Sequence, residues 1–371
     1  MKFLCNQNTL SQAINIVIKA CPARSVNPIL ECILITAEDE KIILVGNNLE
    51  LGIKNIINGK TLENGQIAVD AKLFSEMIRK MPPGDIEITT ISKNQITIIN
   101  QKSKFTLQTF DVKQFTDLPS VSLAKSFVIS QAELKNIIKR TIFSVAQEES
   151  RPSLTGEKLE IENGQLNLVA IDGFRIAFMK LHLEDKNLKI GKIIPAKTLL
   201  EVTKILGTDK EKDDTVRLCF GDDHVLFNFS DTTVVSRLIE GEFLRYQDIF
   251  SNDFETRIII DREKLLMSVE RAALISREDG KNPVRLEINK DTLIVTSNTT
   301  MGESFEELAI TLRGQPLKIA FNPRYLIDAL KNIDDEQVYV NFVSKMAPAV
   351  IMPIEGDRYR YLILPIRVNE S

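Results

Sequence analysis

The residue types that most often perform catalysis or bind metals are few and scattered in this sequence. His182 and His224 lie far apart in the chain, and neither is in an H-E-x-x-H or H-x-E motif. No C-x-x-C pair is present, so we expect buried free thiols rather than a disulfide or a metal site. The cysteines concerned are Cys5, Cys21, Cys32 and Cys219. No nucleophile–base pair can be proposed either.

Two other patterns resemble ligand sites but have simpler explanations. Gly59-Lys60-Thr61 resembles the end of a P-loop, yet Lys54 stands where that loop needs its first glycine, so we expect a hairpin turn. The acidic runs Asp213-Asp214, Asp222-Asp223 and Asp334-Asp335-Glu336 lie in turn-like contexts, which favours solvated loops over divalent-cation sites. We therefore predict a non-enzymatic scaffold with no metal and no cofactor.

The composition indicates an ordinary globular protein. With 371 residues, of which 43% are hydrophobic and 26% charged, the chain is expected to divide into two or three domains. No stretch approaches the ~18 apolar residues of a membrane span, and the N-terminus lacks the features of a signal peptide. We expect a cytoplasmic protein.

The elements that position the charged residues repeat three times along the chain. One helix-like segment recurs at offsets of 125 and 127 residues, each time with a base, an acid four residues later and a second base three residues beyond. The three sets are Lys72, Glu76 and Arg79, then Lys197, Glu201 and Lys204, then Arg324, Asp328 and Lys331. In the first copy, Leu73, Phe74, Met77 and Met81 are predicted to face the core.

Other landmarks recur in the same order. Leu10, Leu134 and Leu265 each open an apolar period near 3.6 residues, and a proline follows each after 18 residues. Each unit is thus predicted to contain a helix, strands, a second helix and further strands, with the alternation of antiparallel sheet. The predicted fold class is α+β, with three repeated domains at residues 1–121, 122–250 and 251–371.

Positive charge is concentrated in the predicted helices. These segments carry fifteen Lys or Arg and seven Asp or Glu, whereas the whole chain has a net charge of −4. The helices therefore have a surplus of eight positive charges, and the rest of the chain has a surplus of twelve negative ones. An acidic body with basic helices would accept DNA along one face and repel it elsewhere, although for a single helix a solvated face with an i, i+3 ion pair is the simpler explanation.

The repeat and three specific segments give the chain a family resemblance. Asn48–Ile53, Ala170–Ile176 and Tyr361–Val368 resemble the bacterial beta sliding clamps, the beta subunits of DNA polymerase III, along essentially the whole chain. The resemblance implies a head-to-tail homodimer that forms a ring, with helices lining a channel and antiparallel sheets outside. It also implies a processivity factor that encircles duplex DNA without sequence specificity. The partners it implies are the DNA polymerase III alpha subunit, the clamp loader, and other DNA polymerases and repair proteins.

The family binds partner peptides in an apolar pocket between the central and C-terminal domains. The matching positions are Leu154, Ile171, Gly173, Phe174, Arg175, Ile176, Leu244, Ile249, Pro348, Leu362 and Leu364. Arg175 is expected to hold a polar group or carboxylate, and Pro365 is expected to leave an unpaired strand edge for the peptide. The family usually has His at Phe174, Pro at Leu244 and often a base at Asp248, so a different peptide preference is expected.

The resemblance also assigns residues to the dimer interface and to the DNA-facing surface. The expected interface residues are Lys102, Lys104, Phe105 and Leu107 on one side, and Leu274, Ile275, Glu303 and Glu306 on the other. The expected DNA-facing residues are Arg24, Lys72, Arg79, Lys80, Lys197, Lys204, Arg324 and Lys331. Glu148 stands where the family has a DNA-contacting glutamine.

Two alternatives remain open from the sequence. One is an acidic α+β hydrolase that uses two carboxylates, such as Asp172 and Asp231. It would require a hydrolytic activity that disappears when one carboxylate is changed. The other is a monomeric peptide-binding scaffold that does not act on DNA, which the mass in solution would distinguish from a dimer.

Overall fold

The structure is a computed structural model that describes residues 1–147, 150–207, 214–250, 254–276 and 283–367. In these ranges the chain forms 26 strands and six α-helices, and every strand pairing between them is antiparallel. The chain divides into two compact units, one of residues 1–135 with 197–238 and the other of residues 136–196 with 239–371.

The elements follow one another in three similar series. The first comprises β1 (Lys2–Asn6), α1 (Gln7–Val17), β2 (Cys32–Glu38), β3 (Lys41–Asn47), β4 (Leu51–Asn58), β5 (Lys60–Glu63), β6 (Gly65–Asp70), α2 (Ala71–Lys80), β7 (Asp85–Ser92), β8 (Gln95–Asn100) and β9 (Ser103–Gln108). The second comprises β10 (Ser126–Ser130), α3 (Gln131–Thr141), β11 (Gly156–Glu162), β12 (Gln165–Ile171), β13 (Arg175–His182), β14 (Ile190–Pro195), α4 (Ala196–Ile205), β15 (Thr215–Phe220), β16 (His224–Phe229) and β17 (Thr232–Arg237). The third comprises β18 (Thr256–Asp261), α5 (Arg262–Ile275), β19 (Val284–Ile288), β20 (Thr292–Thr299), β21 (Gly302–Ala309), β22 (Thr311–Gly314), β23 (Leu317–Phe321), α6 (Pro323–Lys331), β24 (Gln337–Phe342), β25 (Ala349–Pro353) and β26 (Tyr359–Ile363).

The predicted three-fold repeat is confirmed, with one strand added to each copy. The strands β1, β10 and β18 precede the first helix of each series and were not predicted. Their signal is short: in β1 only Phe3 and Cys5 alternate as buried residues. An alternation of five residues directly before a helix is too short to be recognised as a separate strand.

Each unit contains two sheets. In the first unit the strand orders are β10-β15-β16-β17-β4-β3-β2-β6 and β5-β1-β7-β8-β9. In the second they are β14-β11-β12-β13-β26-β25-β24-β18-β22 and β21-β20-β19-β23. The pairs β4–β17 and β13–β26 join strands of successive series, so each large sheet continues from one series into the next.

The amphipathic helices bury one stripe each, and the first copy corrects one prediction. In α2 the buried residues are Ala71, Phe74 and Ile78, whereas Leu73 is 50% exposed. The stripe follows steps of three and four residues, which leaves Leu73 about 100° around the helix from Phe74. The Asp70 carboxylate accepts from the Leu73 amide at 2.6 Å, which caps the start of α2.

The turn at Gly59 is not a hairpin. It separates β4 from β5, which lie in different sheets of the first unit, so the chain crosses between sheets there. A β-carbon at Gly59 would lie 2.7 Å from an Ile42 side-chain carbon and 3.0 Å from the Leu4 carbonyl oxygen. The glycine is therefore explained by close packing rather than by phosphate binding.

Within the described residues, the four cysteines are free thiols. No helix there is long and apolar enough to cross a membrane. The same part of the chain shows no cluster of three or more His, Cys, Asp or Glu side chains placed to hold a metal ion.

Candidate functional site

An apolar row crosses four neighbouring strands of the nine-stranded sheet. The Tyr361 hydroxyl donates to the Tyr325 carbonyl of α6 at 3.0 Å, so Tyr361 lies on the helix side of the sheet. Since side chains alternate along a strand, Leu362 and its neighbours lie on the opposite face. The row consists, in cross-strand register, of Ile171 on β12, Ile176 on β13, Leu362 on β26 and Val350 on β25.

Four of the predicted pocket residues form one buried cluster on this face. Leu154, Ile171, Ile176 and Leu362 are 7%, 1%, 4% and 2% exposed and pack together with Val169 and Tyr246. The Tyr246 ring is 5.9 Å from the Phe178 ring, and its hydroxyl donates to Glu160 Oε2 at 2.5 Å. Residues 243–250 therefore pass over the row and cover part of it.

The remaining apolar pocket residues form an exposed rim. Phe174, Leu244, Leu364 and Ile249 are 59%, 50%, 38% and 36% exposed, and Pro348 is half-buried. Large exposed apolar side chains beside a buried apolar row are typical of a surface that a partner covers.

A tight loop presents Phe174 at this rim. Asp172 Oδ1 accepts from the amides of Phe174 at 3.0 Å and Arg175 at 3.1 Å, which forms an Asx turn. Gly173 has a φ of +94°, a conformation that favours glycine. The Phe174 carbonyl accepts from the Leu364 amide at 2.9 Å, so the C-terminal segment holds the loop from the other side.

Arg175 is held inside the site rather than presented at its surface. It is 7% exposed and donates through Nε to Asp172 at 2.7 Å, through Nη1 to Asp328 at 2.6 Å and through Nη2 to the Phe143 carbonyl at 2.7 Å. Burial lowers the pKa of Arg175, but Tyr361, Asp328 and Asp172 together raise it above its ordinary value. With 7% exposure, Arg175 offers little of its guanidinium to the partner carboxylate predicted from the sequence.

The structure adds two residues that sequence reasoning did not place at the site. The Phe174 and Tyr325 rings are stacked with centroids 6.4 Å apart, and the Arg175 guanidinium lies 4.4 Å from the Tyr325 centroid. Asp328 was predicted only as the acid of the repeated helix. No local pattern links α6 to a loop about 150 residues earlier, so only the fold reveals the contact.

The predicted strand edge at the C-terminus is wrong. β26, which carries Leu362, is an interior strand paired with β13 on one side and β25 on the other. Beyond it, the Ile366 amide donates to the Ala320 carbonyl at 2.8 Å, so this segment pairs in spite of Pro365. Val368 lies outside the described residues.

All eight residues predicted to face DNA are exposed. Seven lie on helices α2, α4 and α6, with Lys80 as the last residue of α2, and Arg24 lies in the loop before β2. Lys204 donates to Glu201 at 2.6 Å and Lys331 pairs with Glu270 at 2.7 Å, so these two are partly neutralised. Glu148 lies outside the described residues.

Five of the predicted dimer residues lie on two strands at the edges of their sheets. β9 ends the five-stranded sheet and carries Lys104, Phe105 and Leu107, with Phe105 40% exposed. β21 ends the four-stranded sheet and carries Glu303 and Glu306.

The helix beside β21 completes the second surface. Leu274 at the end of α5 is 78% exposed, and Ile275 is half-buried. Met301 and Phe305, which sequence reasoning missed, are 67% and 65% exposed and extend the apolar surface around β21. Exposed apolar side chains beside a sheet edge are typical of a surface at which another chain can pair.

Comparisons with known proteins agree along the whole chain. Three family models match: the DNA polymerase III beta subunit N-terminal domain at residues 1–119, its central domain at 128–244 and its C-terminal domain at 247–367. The beta sliding clamp of Staphylococcus aureus is 33% identical, with 99% of each chain covered. Among solved structures, a putative DNA polymerase III beta subunit from Eubacterium rectale has a TM-score of 0.95 at 38% identity, with 100% of both chains covered. The DNA polymerase sliding clamp of Bacillus subtilis has a TM-score of 0.96 at 29% identity, with 99% of each covered. The chain therefore belongs to the family of DNA polymerase III beta subunits, the beta sliding clamps, which are processivity factors rather than catalytic enzymes.

Proposed function

We propose that two copies of this chain close head to tail into a ring around duplex DNA and tether a DNA polymerase to it. Each copy contributes three domains, at residues 1–121, 122–250 and 251–371, and the repeated helices line the channel. The observation that carries this proposal is the exposure of all eight bases on an otherwise acidic chain. Weak contacts to phosphates suffice for a closed ring, because retention is topological and strong contacts would impede sliding.

Dimerisation would join the two free edges. β9 of one copy would pair with β21 of the other, around an apolar centre of Phe105, Leu107, Leu274 and Ile275. Two basic side chains on or beside β9, Lys102 and Lys104, would face the acidic β21. Pairing would remove both free edges, which are otherwise prone to nonspecific association.

Partner proteins would dock a short peptide on the apolar row and its rim. We propose as partners the polymerase III alpha subunit, the clamp loader, and other cytoplasmic polymerases and repair proteins that carry such a peptide. The tether raises the partner's effective concentration at the template, which gives processivity without catalysis.

Retention on circular DNA tests the ring. Clamp loaded onto nicked circular DNA should stay bound, and linearising the DNA should release it within the time needed to slide off. Equal lifetimes on circular and linear DNA would exclude topological retention.

Substitution at the rim tests the peptide surface. Phe174→Ala removes a ring that is 59% exposed, so it should weaken a polymerase-derived peptide several-fold with little change in thermal stability. Leu49→Ala is the matched control, since Leu49 is 57% exposed in the corresponding loop between β3 and β4. Unchanged peptide affinity in Phe174→Ala, measured by fluorescence anisotropy, would place the peptide elsewhere.

A further inference from the structure

The acid of the repeated helix segment has different partners in different copies. In α4, Glu201 accepts from Lys204 at 2.6 Å, one turn along the same helix. The same spacing in α6 would pair Asp328 with Lys331. Instead, Asp328 Oδ2 accepts from Arg175 Nη1 at 2.6 Å. In the third copy, therefore, the acid of a surface helix supports a loop of the candidate peptide site.

Arg175 needs this second carboxylate. A guanidinium that is 7% exposed must keep its donors satisfied, because an unpaired buried donor or charge is costly. Asp172 is already engaged elsewhere, since its Oδ2 accepts from Arg175 Nε while its Oδ1 accepts from the amides of Phe174 and Arg175. Without Asp328, Nη1 would lose its partner, and only the bonds to Asp172 and to the Phe143 carbonyl would hold Arg175.

We propose that Asp328 is a positioning residue of the peptide site: its carboxylate fixes Arg175, and Arg175 fixes the loop that presents Phe174. This inference rests on the peptide-binding role proposed above. Asp328 acts through Arg175 and is not assigned a contact with the peptide.

Helix α6 is suited to serve as the fixed reference for the loop. Its buried residues Leu326, Ala329 and Leu330 anchor it in the core. Two residues one turn apart on α6 support the loop. The Tyr325 ring lies 6.4 Å from the Phe174 ring, and Asp328 accepts a hydrogen bond from Arg175. A site held by packed helices and paired charges loses less entropy on binding than a mobile loop would.

The test compares two substitutions that each remove one Arg–Asp pair. Asp328→Asn removes the carboxylate charge at Arg175. Asp334→Asn is the matched control, because Asp334 pairs with Arg140 at 2.5 Å and shares no hydrogen bond with residues 172–175. The probe is a fluorescein-labelled peptide copied from the clamp-binding segment of a polymerase III alpha subunit, titrated by anisotropy into the full-length protein.

We expect Asp328→Asn to weaken peptide binding several-fold, because the Asn oxygen can still accept from Nη1 but no longer carries the charge that strengthens the bond. Asp334→Asn should bind as the unsubstituted protein does, even if both variants melt at the same lower temperature. Asp328→Glu, which keeps the charge, should recover most of the affinity. Unchanged binding by Asp328→Asn, or equal weakening by Asp334→Asn, would overturn the proposal.

A further variant covers the case in which Asp328→Asn does not fold. Arg175→Lys keeps the positive charge but loses the planar fork that reaches both carboxylates, so it should also weaken the peptide. Normal affinity in a folded Arg175→Lys protein would overturn the positioning role. Failure of the unsubstituted protein to bind the peptide would instead refute the proposed peptide-binding function, and it would be seen before any variant is compared.

Discussion

Arg271 on α5 holds Glu306 on β21 through two hydrogen bonds, from Nε to Oε1 at 2.5 Å and from Nη2 to Oε2 at 2.7 Å. The Arg271 hydrogen bonds lower the pKa of the Glu306 carboxyl. Sequence reasoning placed Glu306 in the dimer interface, opposite Lys102 and Lys104, but its charge is already paired within its own chain. Glu303 on the same strand is exposed and has no described ion pair.

The two glutamates should therefore contribute unequally to dimerisation. Glu303→Gln should raise the dimer dissociation constant and reduce its dependence on salt, because a charge facing Lys104 is lost. Glu306→Gln should change the dissociation constant less, because Glu306 is already paired with Arg271 in its own chain. Exposed charge pairs contribute ~0.2–1 kcal/mol, so both effects should be modest. Sedimentation at two salt concentrations measures both. A larger effect for Glu306→Gln would mean that Arg271 releases it on assembly.

The apolar part of the interface should be essential. Replacing both Leu274 and Ile275 by Ala should give folded monomers, because truncating a Leu or Ile buried in an interface costs ~2–5 kcal/mol. Met267→Ala, at a residue 46% exposed on the same helix, should remain dimeric. A dimer at micromolar concentration in the double variant would show that the interface lies elsewhere.

Substitutions in the first unit should affect DNA contact without affecting peptide binding. Replacing Lys72 and Lys197 by Ala should weaken DNA contacts and reduce their salt dependence, while peptide affinity stays the same. Arg324 is less suited to this test, because its neighbour Tyr325 supports Phe174. Loss of peptide binding in the Lys72 and Lys197 double variant would contradict separability. DNA retention and anisotropy are the two measurements.

A buried acid should make stability depend on pH. Glu157 on β11 is 0% exposed, and burial raises its pKa to about 8, although the nearby Thr141 hydroxyl acts in the opposite direction. Its unfolded pKa is near the ordinary value, so between these two values the folded state binds the extra proton. The free energy of unfolding should therefore fall by up to ~1.4 kcal/mol per unit as pH rises through this window.

The neutral analogue tests this dependence. Glu157→Gln should match the unsubstituted protein near pH 5, where the carboxyl is protonated in the folded state. It should be more stable at pH 8.5 by a few kcal/mol. Chemical unfolding at the two pH values measures the difference. Equal stabilities at pH 8.5 would show that the ionised carboxylate is solvated or paired in the folded protein.

The sequence was sufficient for features whose signal is local or repeated. The base–acid–base spacing identified α2, α4 and α6, because the helical period is a property of neighbouring residues. Family resemblance named the pocket residues, and four of them pack in a single cluster. The roles of these residues remain predictions.

Only the tertiary structure decided which charges meet. Asp328 and Glu201 occupy the same position of the repeat, yet one pairs with Arg175 and the other with its own helix. Likewise, Glu306 pairs with Arg271, and Leu362 lies on an interior strand rather than an edge. The sequence by itself determined the three copies and their elements. Partner choice depended on which side chains the folded sheets and helices bring within hydrogen-bonding distance, and no spacing along the chain encodes that proximity.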